Sequence, residues 1–168
     1  MESAIEVRSL VKDFASFTAV DHICFNLPEG GIRAFLGPNG AGKTTTIKLL
    51  TTALAPTSGH IRVAGHDPVR APMLVRRAFG IVFQDPSLDD EPTARENLSL
   101  QATLYNVPRK EQGRRIEMPL GFAGLRQRRN DFVKQYCGGM KRRLEIAGAF
   151  LHQPRVLFFD EPTLGLDP

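Results

Sequence analysis

The sequence predicts an α/β fold in which a helical block interrupts a sheet. Three observations predict it. Short apolar runs bounded by turn residues fill the first half of the chain, with a helical pattern only after a glycine-rich stretch, LGPNGAGKTTTIKLL (Leu36–Leu50). From about Thr93 to Phe132 the pattern is helical. After one more helical segment the chain ends its pattern on an apolar run leading into acids, VLFFDEP (Val156–Pro162). Strands and a helix, then helices, then a strand is the order of a sheet that carries a helical insertion.

The elements follow in order. Ile5 to Leu10 alternates apolar and polar and reads as a strand, HICFNL (His22–Leu27) reads as a second, and PEGG is the turn after it. IRAFL (Ile32–Leu36) is mostly apolar and predicts a third, central strand. A helix is predicted from about Lys43 to Ala53, then a break at APTSG and a short strand at HIRVAG. GIVFQ (Gly80–Gln84) predicts a further buried strand, and DPSLDDEPT a loop. In the helical block Thr93 and Glu96 form a capping-box pair, which satisfies two amides of a helix start reciprocally. Pro108, Pro119, Gly121 and Gly124 are expected to cut the block into short helices. CGG then leads a helix to about His152, with Met140, Leu144, Ala147 and Leu151 on one face.

A chain of 168 residues is about one domain and can bury a real core. Its net charge is only +4, and the basic clusters RKEQGRR and RQRRNDFVK sit beside acids or amides. That favours a solvated helical face over a nucleic-acid groove, and no nucleic-acid partner is expected. Cys24 and Cys137 show neither metal spacing nor a disulfide framework, which fits a reducing compartment. The N-terminus does not read as a signal peptide, and the apolar runs are too short to span a bilayer. A membrane role would therefore run through a partner.

Chemistry concentrates in three places. Gly37, Gly42, Lys43 and Thr44 fit G-x-x-x-x-G-K-[ST], between a predicted strand and a helix. Glycines let the backbone curl so that successive N–H groups face a phosphate, and the helix start adds partial positive charge. The loop Gly37, Pro38, Asn39, Gly40, Ala41, Gly42, continued by Lys43, Thr44 and Thr45, is thus a candidate ATP-phosphate cradle. Lys43 would reach the β- and γ-phosphates, and the Thr44 hydroxyl would ligate Mg²⁺. In the second place, Asp160 would hold Mg²⁺ and Glu161 would polarise an attacking water. Many strands end in an acid, so this motif draws its weight from the phosphate loop. The third is YCGGMKRRLEIAGAF (Tyr136–Phe150). Its glycines make a second anion-binding helix start, suited to the γ-phosphate of a nucleotide held by another subunit. A glycine turn that merely begins a helix remains the alternative there.

Together these residues make the chain similar to ATP-binding-cassette (ABC) ATPases along nearly its whole length. It resembles most the ATPase subunits of drug-resistance exporters of the daunorubicin type. The resemblance is carried by FTAVDHICF, LGPNGAGKTTTIKLLTTALAPTSG, GIVFQDPSLDDEPTARENLSL and YCGGMKRRLEIAGAFLHQPRVLFFDEPTLGLDP. It implies a P-loop NTPase, RecA-like parallel-sheet core with N-terminal antiparallel strands and an inserted helical subdomain. The implied parts are residues 1–86, strands and phosphate-loop core; 87–152, helical subdomain with signature loop; and 153–168, magnesium strand and dimer-interface loop. It further implies that Phe14 stacks on adenine and that Gln84 touches Mg²⁺ or the attacking water. Cys137, Gly138 and Gly139 match the signature loop, and Asp167 the loop that crosses the dimer interface.

The expected function is the ATPase subunit of an ABC exporter, working as a head-to-tail dimer at the cytoplasmic membrane face and docked on a transmembrane permease subunit. A nucleotide-binding remnant without turnover and a soluble, non-transport ABC protein stay open as alternatives. Cys137 stands where the family has serine, and Gly148 where it usually has arginine. In the family a further strand and a histidine follow LGLDP, so the expectation is a truncated copy that lacks its C-terminal strands and turns over poorly alone.

Overall fold

The computed structural model describes residues 3–83 and 87–160. It divides into two units, with the division between Phe79 and Gly80.

The first unit is built on a hairpin. β1 (Ser3–Phe14) and β2 (Phe17–Pro28) are antiparallel, with Ile5 opposite Leu27, Val7 opposite Phe25 and Phe14 opposite Phe17. β3 (Ser58–Val63) pairs antiparallel on the other edge of β1, giving the order β2-β1-β3. The strands predicted at Ile5–Leu10 and His22–Leu27 lie within these longer ones, whereas HIRVAG overlaps β3 only from His60 to Val63 and its Ala64 and Gly65 form the turn that follows. In β1 the buried side chains change phase. Ile5 and Val7 are buried, then Leu10 and Val11. The shift comes at Ser9, which has a φ of 45°, and the register slips between Val7 and Leu10. One extra residue on a strand returns the next apolar side chain to the core. Leu10 is thereby fully buried, worth about 1.5–3 kcal/mol over an exposed leucine.

The strand predicted at Ile32–Leu36 does not form. Residues 31–38 have no regular structure, and Ile32 and Leu36 are 99% and 91% exposed. An apolar run becomes a strand only where a neighbour completes its ladder, and among the described residues none pairs with this one. Phe35 instead meets Phe25 edge-on, with ring centroids 5.5 Å apart.

α1 (Lys43–Leu50) buries Thr46, Ile47, Leu49 and Leu50. It stops short of Ala53 because Thr52 turns left-handed, at a φ of 64°. α2 (Pro72–Ala78) has no counterpart in the sequence reading. Pro72 in its first turn, where a missing N–H is harmless, was the available signal.

β4 (Phe79–Val82) starts at the last residue of the first unit and pairs with β5 (Val156–Phe159) of the second. Three helices, α3 (Ala94–Leu104), α4 (Arg109–Phe122) and α5 (Gly138–Ala149), pack around Leu98, Leu120, Leu125, Val133 and Leu144. The capping box starts α3 as read: Thr93 accepts from the Glu96 amide, and the Glu96 carboxylate accepts from the Thr93 amide at 2.8 Å. Pro108 precedes α4 and Gly124 follows it, but Pro119 and Gly121 lie inside it. Pro119 has no N–H to donate to the Arg115 carbonyl, so α4 continues through it with one internal hydrogen bond fewer. On α5 the face Met140, Leu144, Ala147 is buried as expected, with Leu151 just beyond the helix. Among the described residues no helix is long and apolar enough to cross a membrane.

Candidate nucleotide-binding site

The glycine loop is shaped by its backbone. Gly40 and Gly42 are both left-handed, with φ of 84° and 77°. Gly42 is also the N-cap of α1, pressed so closely on β2 that a Cβ there would strike the Ala19 carbonyl oxygen. Only glycine meets both demands. No side chain caps α1, and no acid lies in its first turn. Its first amides therefore face outward with partial positive charge, which suits an anion.

Lys43 closes over this turn. Its Nζ donates to the carbonyl oxygens of Gly37 (2.7 Å) and Pro38 (2.8 Å). Those bonds fold the ammonium back over the loop. The next threonines divide. Thr46 is buried and its hydroxyl donates to the Gly42 carbonyl at 2.9 Å. Thr44 is exposed and its hydroxyl makes no hydrogen bond among the described residues. Gly37 to Thr45 are thus brought together as one group.

The second unit carries a second group. Asp160 follows β5 directly, and its amide donates to the Val82 carbonyl of β4 at 3.0 Å. Its carboxylate makes no hydrogen bond or ion pair among the described residues. Cys137 is the N-cap of α5, exposed, and makes no capping hydrogen bond. Gly138 has open space around its Cα, so the helix start is accessible. Tyr136 anchors it: the phenol donates to the Arg128 carbonyl at 2.7 Å, and burial, then Asp131, push its pKa up. Arg128 is itself raised, chiefly by its hydrogen bond to Asp131. Gln84, Glu161 and Asp167 lie outside the described residues.

A family model described as "ABC transporter" matches residues 20–164, spanning the phosphate loop, the helical block and the acid-ended strand. The chain belongs to the ABC transporter family. It is 45% identical over 167 residues to the daunorubicin/doxorubicin resistance ATP-binding protein of Streptomyces peucetius, covering 98% of this chain and 50% of that one. To the bacitracin transport ATP-binding protein of Bacillus licheniformis it is 39% identical, covering all of this chain and 54% of the other. It spans about half the length of these curated relatives. Among solved structures it superposes on an ATP-binding subunit of an ABC transporter with a TM-score of 0.87 at 34% identity, covering 98% of this chain and 69% of that one. On CbiO1 of Clostridium perfringens, described as part of the ABC transporter complex CbiONQ, the TM-score is 0.88 at 30% identity, covering 100% of this chain and 69% of that one. The P-loop NTPase fold of an ABC ATPase subunit is therefore the fold of this chain.

Against that family, four of the expected site positions can be compared with the structure. Phe14 is 39% exposed at the tip of the hairpin, so it is not a core residue. Its ring stacks on Phe17, with centroids 5.4 Å apart, and the Lys12 ammonium lies 5.2 Å from its centre. Phe17 was missed by the sequence reading. Its signal was its position, three residues after Phe14 across a two-residue turn. Cys137 occupies the N-cap position of α5 without making a capping bond, a placement that the signature resemblance did not suggest. Mg²⁺ prefers oxygen ligands, and each unit holds one unengaged oxygen group of that kind, the Thr44 hydroxyl in the first and the Asp160 carboxylate in the second. Among the described residues no cluster of three His, Cys, Asp or Glu could hold a metal alone. A metal held mainly by nucleotide phosphates needs no such cluster.

Proposed function

We propose that the chain is the ATP-binding and ATP-hydrolysing subunit of an ABC exporter, and that it powers efflux of drugs or other small molecules. It would act as a head-to-tail dimer on a separate transmembrane permease subunit, at the cytoplasmic face of the membrane. The family and the names of its relatives support this reading. The single observation that carries it is the Lys43 ammonium held across a loop of left-handed glycines at an uncapped helix start.

In this reading the loop amides and the α1 terminus bind the β- and γ-phosphates, and Lys43 exchanges its carbonyl partners for phosphate oxygens. Phe14 stacks on the adenine. Thr44, Asp160 and Gln84 would hold Mg²⁺, which when bound neutralises charge on the phosphates. Glu161 polarises the attacking water. Cys137, Gly138, Gly139 and Asp167 serve the nucleotide of the second copy.

The test is a titration of a fluorescent ATP analogue against wild type and Lys43→Ala. Removing one charge-assisted bond worth about 1.5–3 kcal/mol should weaken binding roughly tenfold or more. Equal affinities with both proteins folded would refute the assignment.

A further inference from the structure

α5 carries a buried ion pair that the site described above does not use. Arg142 and Glu145 are each 6% exposed, and Arg142 Nη1 donates to Glu145 Oε2 at 3.1 Å. Each also grips backbone far away in sequence. Arg142 Nη1 donates to the carbonyl oxygen of Phe83 at 2.5 Å. Glu145 Oε1 accepts from the amide of Ser87 at 2.7 Å. The preceding carbonyl, Val82, holds the amide of Asp160. One turn of α5 is thus bonded to the end of β4 on one side and to Ser87 on the other.

The pair is a poor device for stability alone. Arg142 Nε and Nη2 are buried with no hydrogen-bond partner among the described residues. Desolvating two charges offsets most of their attraction, and apolar replacements of similar volume are often neutral or stabilising. What the pair does supply is position, because two charge-assisted bonds fix two backbone points relative to one helix.

We propose that Arg142 and Glu145 are positioning residues for ATP hydrolysis, which rests on the ATPase reading above. They fix the spacing of Phe83 and Ser87 and lock both to the helix that begins at the Cys137–Gly138 turn. Gln84 follows Phe83 directly in sequence, and Asp160 is bonded to the residue before Phe83. The helix that begins at the Cys137–Gly138 turn is therefore bonded to Phe83, whose neighbour Val82 holds the amide of Asp160, the residue that would hold metal.

The experiment compares wild type with Glu145→Gln and with the double variant Arg142→Met/Glu145→Leu, with turnover measured in the full-length ATPase subunit. The double variant removes both charges together, so it should fold and melt near wild type. Amide exchange at Ser87 should accelerate roughly tenfold or more in it, because the charged acceptor is gone. Affinity for a fluorescent ATP analogue should stay within about twofold, since neither residue lies in the phosphate loop. Turnover should fall about tenfold in kcat with KM nearly unchanged, as misplaced catalytic groups cost rate rather than binding. Glu145→Gln should shift kcat in the same direction. Faster Ser87 exchange with wild-type kcat would reduce the pair to a structural brace and overturn the proposal, as would unchanged Ser87 exchange. Failure of wild type to bind the analogue would instead bring down the ATPase reading, and this inference with it.

Discussion

A Cβ on Gly42 would collide with the carbonyl oxygen of Ala19 on β2. The clash is with backbone, so no side-chain rotation relieves it. Gly40, one turn of the loop away, is equally left-handed but has nothing within 4 Å of an added Cβ. The two glycines therefore separate strain from space. Gly40→Ala should cost only the left-handed penalty, on the order of 1–2 kcal/mol. Gly42→Ala should cost more, and should displace either the start of α1 or β2. Titration of an ATP analogue should show a modest loss for Gly40→Ala and a much larger one for Gly42→Ala. Equal losses would mean that loop flexibility, not the approach to Ala19, sets the site.

The capping box of α3 predicts an acid sensitivity. Glu96 has its pKa lowered, first by the hydrogen bond from the Thr93 amide and then by that from the Thr93 hydroxyl. A carboxylate depressed on folding adds stability above its unfolded pKa, and that share is lost as pH falls through the lower folded value. Wild type should therefore lose stability in this acid range more steeply than Glu96→Gln. Denaturant melts at a series of pH values from neutral into the acid range would check it. Parallel curves for the two proteins would contradict the assignment.

What could be read from the chain was what depends on neighbours in sequence. Thr93 and Glu96 are three residues apart, the buried face of α5 follows helical spacing, and VLFF is a short apolar run bounded by turn signals. The phosphate loop was legible for the same reason, since its glycines, lysine and threonine are contiguous. Ile32–Leu36 misled because a strand is a property of a pair, and pairing cannot be seen in one segment. The Arg142–Glu145 network was invisible because its bonds reach Phe83 and Ser87, 59 and 58 residues away. Ser9 was missed because a positive φ at serine leaves no mark on composition.

Gly148 gives a stability prediction. It lies inside α5, where glycine costs about 1 kcal/mol relative to alanine. An added Cβ would strike Gln101 Oε1 on α3, a buried oxygen with no hydrogen-bond partner among the described residues. That oxygen ends a flexible side chain and can move, but moving it offsets the helix gain. Gly148→Ala should therefore be close to neutral. Gly148→Ala/Gln101→Ala should be more stable than Gln101→Ala by about 1 kcal/mol. A double-mutant cycle from denaturant melts measures the coupling, and additive effects would show that the two side chains do not meet.

Cys137 is the N-cap of α5 and also matches the signature position, so one substitution tests two roles that can be told apart. A serine hydroxyl accepts a hydrogen bond from an amide of the first helical turn, and serine at an N-cap is worth about 0.5–2 kcal/mol over a non-capping residue. A thiol is a weak acceptor and a weak donor, and no capping bond is made by Cys137. Cys137→Ser should therefore raise the melting free energy without nucleotide. The same hydroxyl can also donate to a phosphate oxygen of a nucleotide held by the partner copy. That should strengthen dimer closure by about 1 kcal/mol per site, a factor of roughly five. ATP affinity at low protein concentration should barely change, because position 137 would serve the other subunit's nucleotide. Turnover of the full-length subunit, measured against protein concentration, should shift to lower concentration. Aspartate caps as well as serine but, ionised, has no hydrogen to donate to a phosphate. Cys137→Asp should thus reproduce the gain in stability without the gain in closure. If serine and aspartate behave alike in turnover, position 137 acts on the helix alone, and the signature role assigned to it does not limit this protein.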